Sequence, residues 1–164
     1  MKRRIVNIVF ASIGLAFATT GLRADPELGK AADNKIYAQT LVNELMAKNP
    51  DLLVVGLHAT APGAKDETMI ASNLDRIGKK DDDDDIAVAT ERKTILAPNM
   101  KESNKFEVQV PIKDATGNIV GAAGLVFKYK AGDDEVKLHI KALAIRDELA
   151  KKIPNFAALF KPTK

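Results

Sequence analysis

Two pairs of short apolar runs, each pair joined by a turn signal, constrain the fold of this chain most strongly. The first pair is residues 52–59 and 67–72, and the segment between them contains proline and glycine. The second pair is residues 106–112 and 119–129, separated by the sequence DATGN at 114–118. Runs of this length with turn residues between them are typical of antiparallel strands. We therefore predict two β-hairpins.

Two longer amphipathic segments lie on either side of the hairpins. Residues 25–48 and 133–152 carry apolar side chains at helical spacing, a proline follows each segment, and Asp133 is a suitable N-cap for the second. A third strand at 94–97 and a short helix at 86–91 complete the pattern. The order predicts an α+β domain with a five-stranded antiparallel sheet, a long N-terminal helix and a C-terminal helix.

The apolar side chains predict how these elements pack. Alternation in the fourth strand separates an apolar face, which we expect to contact the N-terminal helix, from a polar face that looks toward either solvent or a pocket. The apolar set is Phe106, Val108, Val110 and Ile112, and the polar set is Glu107, Gln109, Pro111 and Lys113. The C-terminal helix has a wide apolar face formed by Val136, Leu138, Ile140, Leu143, Ile145 and Leu149. A short tail should pack on the domain through Phe156, Leu159 and Phe160.

The N-terminus has the order of a secretory signal peptide. Basic residues at 2–4 precede an apolar run at 5–18, and small residues lead to Ala24, after which we expect cleavage. The alternative is a retained membrane anchor, but the run is shorter than the roughly 20 apolar residues that a spanning helix needs. We predict a signal peptide at 1–24, a single domain at 25–164 and a periplasmic location.

Charge and cysteine content exclude several functions. The chain carries 25 basic and 22 acidic residues, but four basic and no acidic residues lie in 1–24. The remaining part holds 21 basic and 22 acidic residues, a net charge of about −1. We therefore expect no nucleic-acid partner, because such binding needs a persistent basic patch. The absence of cysteine rules out cysteine nucleophiles and cysteine–zinc sites.

Five consecutive aspartates at 81–85 form the strongest charge run. Such a run is usually a solvated surface, and its last residues suit the start of a helix because anions are favoured at a helix N-terminus. Calcium binding is the alternative, although the run lacks the spaced ligands and turn glycine of a calcium loop. His58 and His139 are far apart with no linking motif, so we predict no metal site and no cofactor.

Two stretches resemble a known family. MIASNLDRIGK at 69–79, followed by the acidic run, and FEVQVPIKD at 106–114, followed by Gly117 and the IVG of 119–121, are similar to a single Cache domain, a PAS-like extracytoplasmic sensor fold. The resemblance implies a PAS-like sheet with a pocket covered by residues 73–92. It also implies a small organic acid, amino acid or similar metabolite as ligand. Members are commonly tethered by membrane helices to a signalling output, which we do not expect here.

Four residues are candidate ligand contacts. Arg76 could bind a carboxylate through its two-pronged guanidinium, although it could instead pair with nearby aspartates. Asn73 could point its amide into the same space or bond its own backbone as a turn residue. Gln109 is central in its strand and offers both a donor and an acceptor. His58 lies at the end of a buried strand. It could contact a ligand, act as a pH-sensitive group, or be a histidine at the edge of the core.

The sequence thus favours a periplasmic, non-catalytic small-molecule sensor or binding domain without its own signalling output, whose ligand is a small anionic metabolite. The alternative is a structural or accessory envelope protein that binds a membrane or envelope partner through its first helix and its tail. A small hydrolase or lyase is a third hypothesis, but the sequence contains no recognised catalytic motif that would support it.

Overall fold

The computed structural model describes residues 35–97 and 102–164. The predicted signal peptide at 1–24 and the predicted helical residues 25–34 lie outside these ranges. The elements in chain order are α1 (Tyr37–Lys48), β1 (Leu52–Ala59), β2 (Thr68–Ser72), α2 (Asp83–Glu91), β3 (Ile95–Leu96), β4 (Lys105–Lys113), β5 (Ile119–Lys128), α3 (Glu135–Lys152) and a final 3₁₀ helix (Phe156–Phe160). The predicted α+β class is confirmed.

The strands form one antiparallel sheet in the order β2-β1-β5-β4-β3. The two predicted hairpins, β1–β2 and β4–β5, are both present, and β1 joins them by pairing with β5. Asp114 closes the second hairpin, because its carboxylate accepts hydrogen bonds from the backbone N–H groups of Thr116 and Asn118. The turn chemistry that predicted this hairpin therefore operates as expected.

The hydrophobic core lies between one face of the sheet and the helices α1 and α3. Helix α1 contacts β1 and β2, whereas α3 contacts β4 and β5. The expectation that the apolar face of β4 meets the N-terminal helix is therefore wrong, because α3 occupies that half of the sheet. The core includes Leu41, Leu45, Val55, Leu57, Val108, Val110, Leu125, Phe127, Ile145 and Leu149.

Helices α1 and α3 are joined directly. The Tyr37 hydroxyl donates to the Lys152 carbonyl at 2.9 Å, and Lys48 pairs with Glu148 at 2.6 Å. Lys152 also pairs with Glu44. Exposed ion pairs of this kind contribute little each, so the shared apolar core remains the main source of stability.

Helix α3 differs from its prediction in two respects. Its N-cap is Asp134, whose carboxylate accepts from the Lys137 N–H, and not Asp133. Val136 and Ile140 are 65% and 60% exposed, so the predicted apolar face is too wide at its N-terminal end. The tail prediction is confirmed: Leu159 is fully buried, and both Phe156 and Phe160 pack against the core.

At Gly121 the backbone of β5 lies close to that of β1. The φ of Gly121 is +147°, and a Cβ at this position would lie 2.0 Å from the His58 carbonyl oxygen. Only glycine fits such a contact, because a side chain would overlap the carbonyl group. In the part of the chain that the structure describes, no helix is long and apolar enough to cross a membrane.

Candidate functional site

The face of the sheet opposite the core carries polar side chains and is covered by α2. Strand alternation places Gln109 and Glu107 of β4 on this face, together with His58 of β1. Helix α2 packs on β4 and β5 and buries Val88 there. Of the two settings left open for the polar face of β4, the interior setting is therefore the one observed, and Gln109 is only 5% exposed.

Two glycines make room for these polar groups. Gly56 of β1 pairs with Gly124 of β5, and Gly124 pairs in turn with Gln109 of β4, so the three residues form a row across the sheet. A Cβ at Gly56 would lie 2.9 Å from Nε2 of His58, and one at Gly124 would lie 2.9 Å from Oε1 of Glu107. The imidazole of His58 and the carboxyl of Glu107 therefore occupy space that a side chain at Gly56 or Gly124 would fill.

Backbone hydrogen bonds bring the acidic run over the same face. Lys80 forms a bridge with Thr68, and the Asp81 N–H donates to the Glu67 carbonyl at 3.2 Å. Asp82 then caps α2 by accepting from the N–H groups of Asp84 and Asp85. The helix thus begins at residue 83, three residues earlier than predicted, and the run does provide its acidic start.

The acidic run is not wholly a solvated surface, in contrast to the prediction. The side chains of Asp81 and Asp85 are only 2% and 13% exposed, respectively. Asp82 and Asp83 remain exposed, as expected. The difference arises because the strand-like pairing of residues 78–81 with β2 turns Asp81 inward, and the first turn of α2 points Asp85 in the same direction.

His58, Asp81, Asp85 and Gln109 form one hydrogen-bonded cluster, which we call the acidic-histidine cluster. His58 Nδ1 lies 2.7 Å from Oδ1 of Asp81 and 3.8 Å from Oδ2 of Asp85. Gln109 Nε2 donates to Oδ1 of Asp85 at 2.8 Å. The short contact requires a proton between the two atoms, and a proton on Nδ1 makes His58 the donor and Asp81 the acceptor.

Three buried oxygens around the cluster have no hydrogen-bond partner among residues 35–97 and 102–164. They are Oδ2 of Asp81, Oε1 of Gln109 and Oε1 of Glu67. Nearly all buried polar atoms in folded proteins are paired with protein groups or water, and leaving one unpaired costs about 1–3 kcal/mol. Three unpaired acceptors in one region indicate a place for a donor or a cation from outside the chain.

Two carboxyls at the border of the cluster are held partly neutral. Burial, and then repulsion by Asp81, raises the pKa of Glu67 to about 7. Burial, and then repulsion by Asp85, raises the pKa of Glu107 to about 7. Burial likewise raises the pKa of Asp85. The positive charge that opposes each of these shifts is His58, because no lysine or arginine is buried among residues 35–97 and 102–164.

The pKa of His58 is raised, although burial alone would lower it. The hydrogen bond to Asp81 and the negative charges of Asp85, Asp81 and Glu107 together outweigh the cost of burying an imidazolium. The cluster therefore favours a positive charge at its centre, which the imidazolium form of His58 would supply.

A cleft reaches Glu67 from the outside. It has a volume of about 300 Å³ and lies between the C-terminal part of α2 and the end of the sheet, with Thr90, Arg92, Val120 and Phe156 among its lining residues. Glu67 lines this cleft, and its carboxyl also interacts electrostatically with Asp81, His58 and Asp85.

The structure brings together two of the four predicted contact residues, His58 and Gln109. The amide of Asn73 instead bonds the backbone of β1, accepting from the Val55 N–H at 2.8 Å and donating to the Leu53 carbonyl at 2.9 Å. Arg76 is exposed in the segment between β2 and α2. A ligand contact by either residue stays a prediction.

Sequence reasoning missed Asp81, Asp85, Glu67 and Glu107. A signal for Glu107 existed, because it shares a strand face with Gln109. No local signal distinguished the first and last aspartates of the run from the exposed residues between them, since their burial depends on how β2 and α2 meet.

The sheet order, the covering helix and the buried polar layer define a PAS-like α+β domain. Neither a protein-family model nor a curated protein sequence matches the chain. Among solved structures, the repressor BlcR of Agobacterium tumefaciens is similar, with a TM-score of 0.50 and 11% identity over 71% of this chain and 67% of that one.

Two further structures have lower TM-scores. A GAF sensor protein from Burkholderia vietnamiensis has a TM-score of 0.42 and 17% identity over 69% of this chain and 74% of its own. The inducer-binding domain of the transcription factor PobR from Acinetobacter, in complex with 3-hydroxybenzoic acid, has a TM-score of 0.45 and 12% identity over 73% of this chain and 96% of its own. These similarities concern the fold.

Proposed function

We propose that this chain is an exported, non-catalytic PAS-like domain of the Cache type that binds a small ligand and acts through a partner. The observation that carries the proposal is the set of unpaired buried oxygens on Asp81, Gln109 and Glu67, beneath the helix that covers the sheet. A layer held together only by the protein would leave these acceptors without donors, at a free-energy cost that a ligand would remove.

The same layer argues for a positively charged ligand. The sequence favoured an anionic metabolite bound through Arg76, but the cluster contains carboxyls and a histidine with no buried lysine or arginine among the described residues. An anion placed there would meet Asp81 and Asp85 at short range in a poorly solvated space, which is strongly unfavourable. A cation would offset the negative charge of these carboxylates.

The accessory-protein alternative receives less support. Its expected contact surface included the tail at 156–160, yet Leu159 is fully buried and Phe156 and Phe160 pack against the domain's own core. Helix α1 likewise packs against β1, β2 and the tail. Both surfaces are therefore largely occupied within the domain.

A thermal-melting screen with matched cations and anions tests the proposal. We expect organic amines or metal ions to raise the melting temperature of the purified protein, because a ligand that binds the folded state stabilises it by mass action. Carboxylates should have no effect. The shift should disappear in Gln109→Leu and persist in Arg76→Ala. Stabilisation by a carboxylate that is lost in Arg76→Ala would restore the anionic ligand, and a flat screen with a captured envelope partner would favour the accessory function.

A further inference from the structure

We propose that the ligand of the acidic-histidine cluster is a divalent transition-metal ion, held by Nδ1 of His58 and by carboxylate oxygens of Asp81 and Asp85. This inference rests on the proposed function and specifies its ligand. The three side chains come from separate places in the chain: the end of β1, the segment leading into α2, and the first turn of α2.

The spacing of the three donors suits a single ion. One ligand atom from each residue lies within 4.8 Å of the other two. The imidazole nitrogen is 2.7 Å from the nearest oxygen of Asp81 and 3.8 Å from that of Asp85. Two donors that each lie about 2.1 Å from a tetrahedral ion are roughly 3.4 Å apart, so the ion needs only small side-chain adjustments.

Unpaired acceptors provide an independent observation that points to a cation. Oδ2 of Asp81 belongs to a side chain that is only 2% exposed, and it has no partner. Oε1 of Gln109 is also buried and unpartnered, while the amide nitrogen of the same residue holds Asp85 in place. Unpaired acceptor oxygens of this kind are satisfied by a metal ion, and a molecule without donors would leave them unpaired.

The chemistry of the donor set selects the class of metal. A histidine nitrogen combined with two carboxylates suits zinc and its first-row neighbours, whereas calcium and magnesium prefer sites made only of oxygen. The ion would replace the proton that now lies between His58 and Asp81, so binding releases that proton to solvent. Three protein donors would leave an open position on a four-coordinate ion.

The test uses the untagged protein, freed of metal by dialysis against a chelator. Titration calorimetry with Zn²⁺ should show one site per chain, and Co²⁺ should give the visible absorption of a low-coordinate nitrogen–oxygen site. Ca²⁺ and Mg²⁺ should bind at least about 100-fold more weakly than Zn²⁺. Putrescine serves as the organic cation in a parallel titration.

Two variants and two matched controls locate the site. His58→Ala and Asp85→Asn should each weaken Zn²⁺ binding by about 100-fold, whereas His139→Ala and Asp83→Asn should leave it unchanged. Asp85→Asn keeps the volume and the Gln109 contact region, so it tests the site even if His58→Ala fails to fold. Unaltered Zn²⁺ affinity in Asp85→Asn, or no Zn²⁺ binding by the parent protein, overturns the metal assignment.

The putrescine titration separates the two proposals. Putrescine binding without Zn²⁺ binding contradicts the metal site and leaves the proposed cation-binding function intact. Binding of neither cation contradicts both.

Discussion

At the scale of single residues, the energetic cost of the buried layer is concentrated in carboxyls that are partly removed from water. Glu107 is the clearest case. Its carboxyl packs against the backbone of Gly124, which has no side chain. It interacts electrostatically with His58 of β1, with the N-cap Asp82 and with Asp85 of α2. Its ionisation adds a negative charge next to others in a poorly solvated space. The protein tolerates this arrangement at an expense in stability, which is common at functional sites.

The pH dependence of stability reports this cost. The pKa of Glu107 is about 7 in the folded protein, against an ordinary value of 4.5, so between these pH values the folded state holds a proton that the unfolded state has lost. Stability contributed by this group therefore falls as pH rises from about 4.5 to 7 and stays low above that. With chelator present at pH 8, Glu107→Gln should have a higher melting temperature than the parent protein. Its free energy of unfolding should be larger by about 2 kcal/mol.

The same comparison at pH 4 should show no gain, because Glu107 is protonated in both states there. Glu91→Gln, an exposed position on α2, is the control and should change stability little at either pH. Thermal denaturation followed by circular dichroism makes both measurements. An equal effect of Glu107→Gln at pH 4 and pH 8 would contradict the assigned charge repulsion.

At the scale of elements, helix α2 depends on its first turn, since it is short and buries little apolar surface. Val88 is its one fully buried residue. The carboxylate of Asp82 satisfies two N–H groups that the helix leaves unpaired, and the following aspartates interact favourably with the helix dipole. The acidic run therefore stabilises the helix and carries Asp85 into the cluster.

Removal of the cap should weaken this element specifically. Asp82→Ala should cost about 1 kcal/mol of unfolding free energy and should speed hydrogen exchange of the α2 amides before those of the strands. Asp83→Ala, which removes an exposed neighbour of the same charge, should cost less. Equal costs for both variants would show that charge alone stabilises the helix start.

The strands are limited by a steric contact at Gly121. A side chain there would overlap the His58 carbonyl, and the positive φ is costly for any other residue. Gly121→Ala should cost more than about 3 kcal/mol or prevent folding. Gly117→Ala is the matched control, because its φ is +89° and nothing lies within 4 Å, so only the backbone strain of about 1–2 kcal/mol applies. Urea denaturation distinguishes the two variants.

At the scale of the whole molecule, export remains a prediction that rests on residues 1–24. We expect mass spectrometry of the protein expressed in a Gram-negative host to show a periplasmic species beginning at Asp25. Leu15→Arg, which interrupts the apolar run, should leave an unprocessed precursor in the cytoplasm, whereas Thr20→Ser should be processed normally. Recovery of the full-length chain in the membrane fraction would instead support the retained anchor.

The fold was more predictable than the site. The strands and the second hairpin were recognisable because alternation and turn residues act locally, and the helix ends followed prolines and aspartates within a few residues. The pairing of α3 with β4 was not predictable, because it depends on which half of the sheet each helix covers. Val136 and Ile140 were misplaced for the same reason, since helical spacing defines a face but not how far its partner extends.

By itself, the sequence determined the element order, the antiparallel hairpins and the presence of polar groups on one face of β4, because period, turn chemistry and capping are properties of neighbouring residues. Only the tertiary structure decided that Asp81 and Asp85 are buried beside His58, whereas Asn73 bonds the backbone of β1. These outcomes depend on contacts between residues 18 or more positions apart in the sequence, and such contacts leave no local signal in the chain.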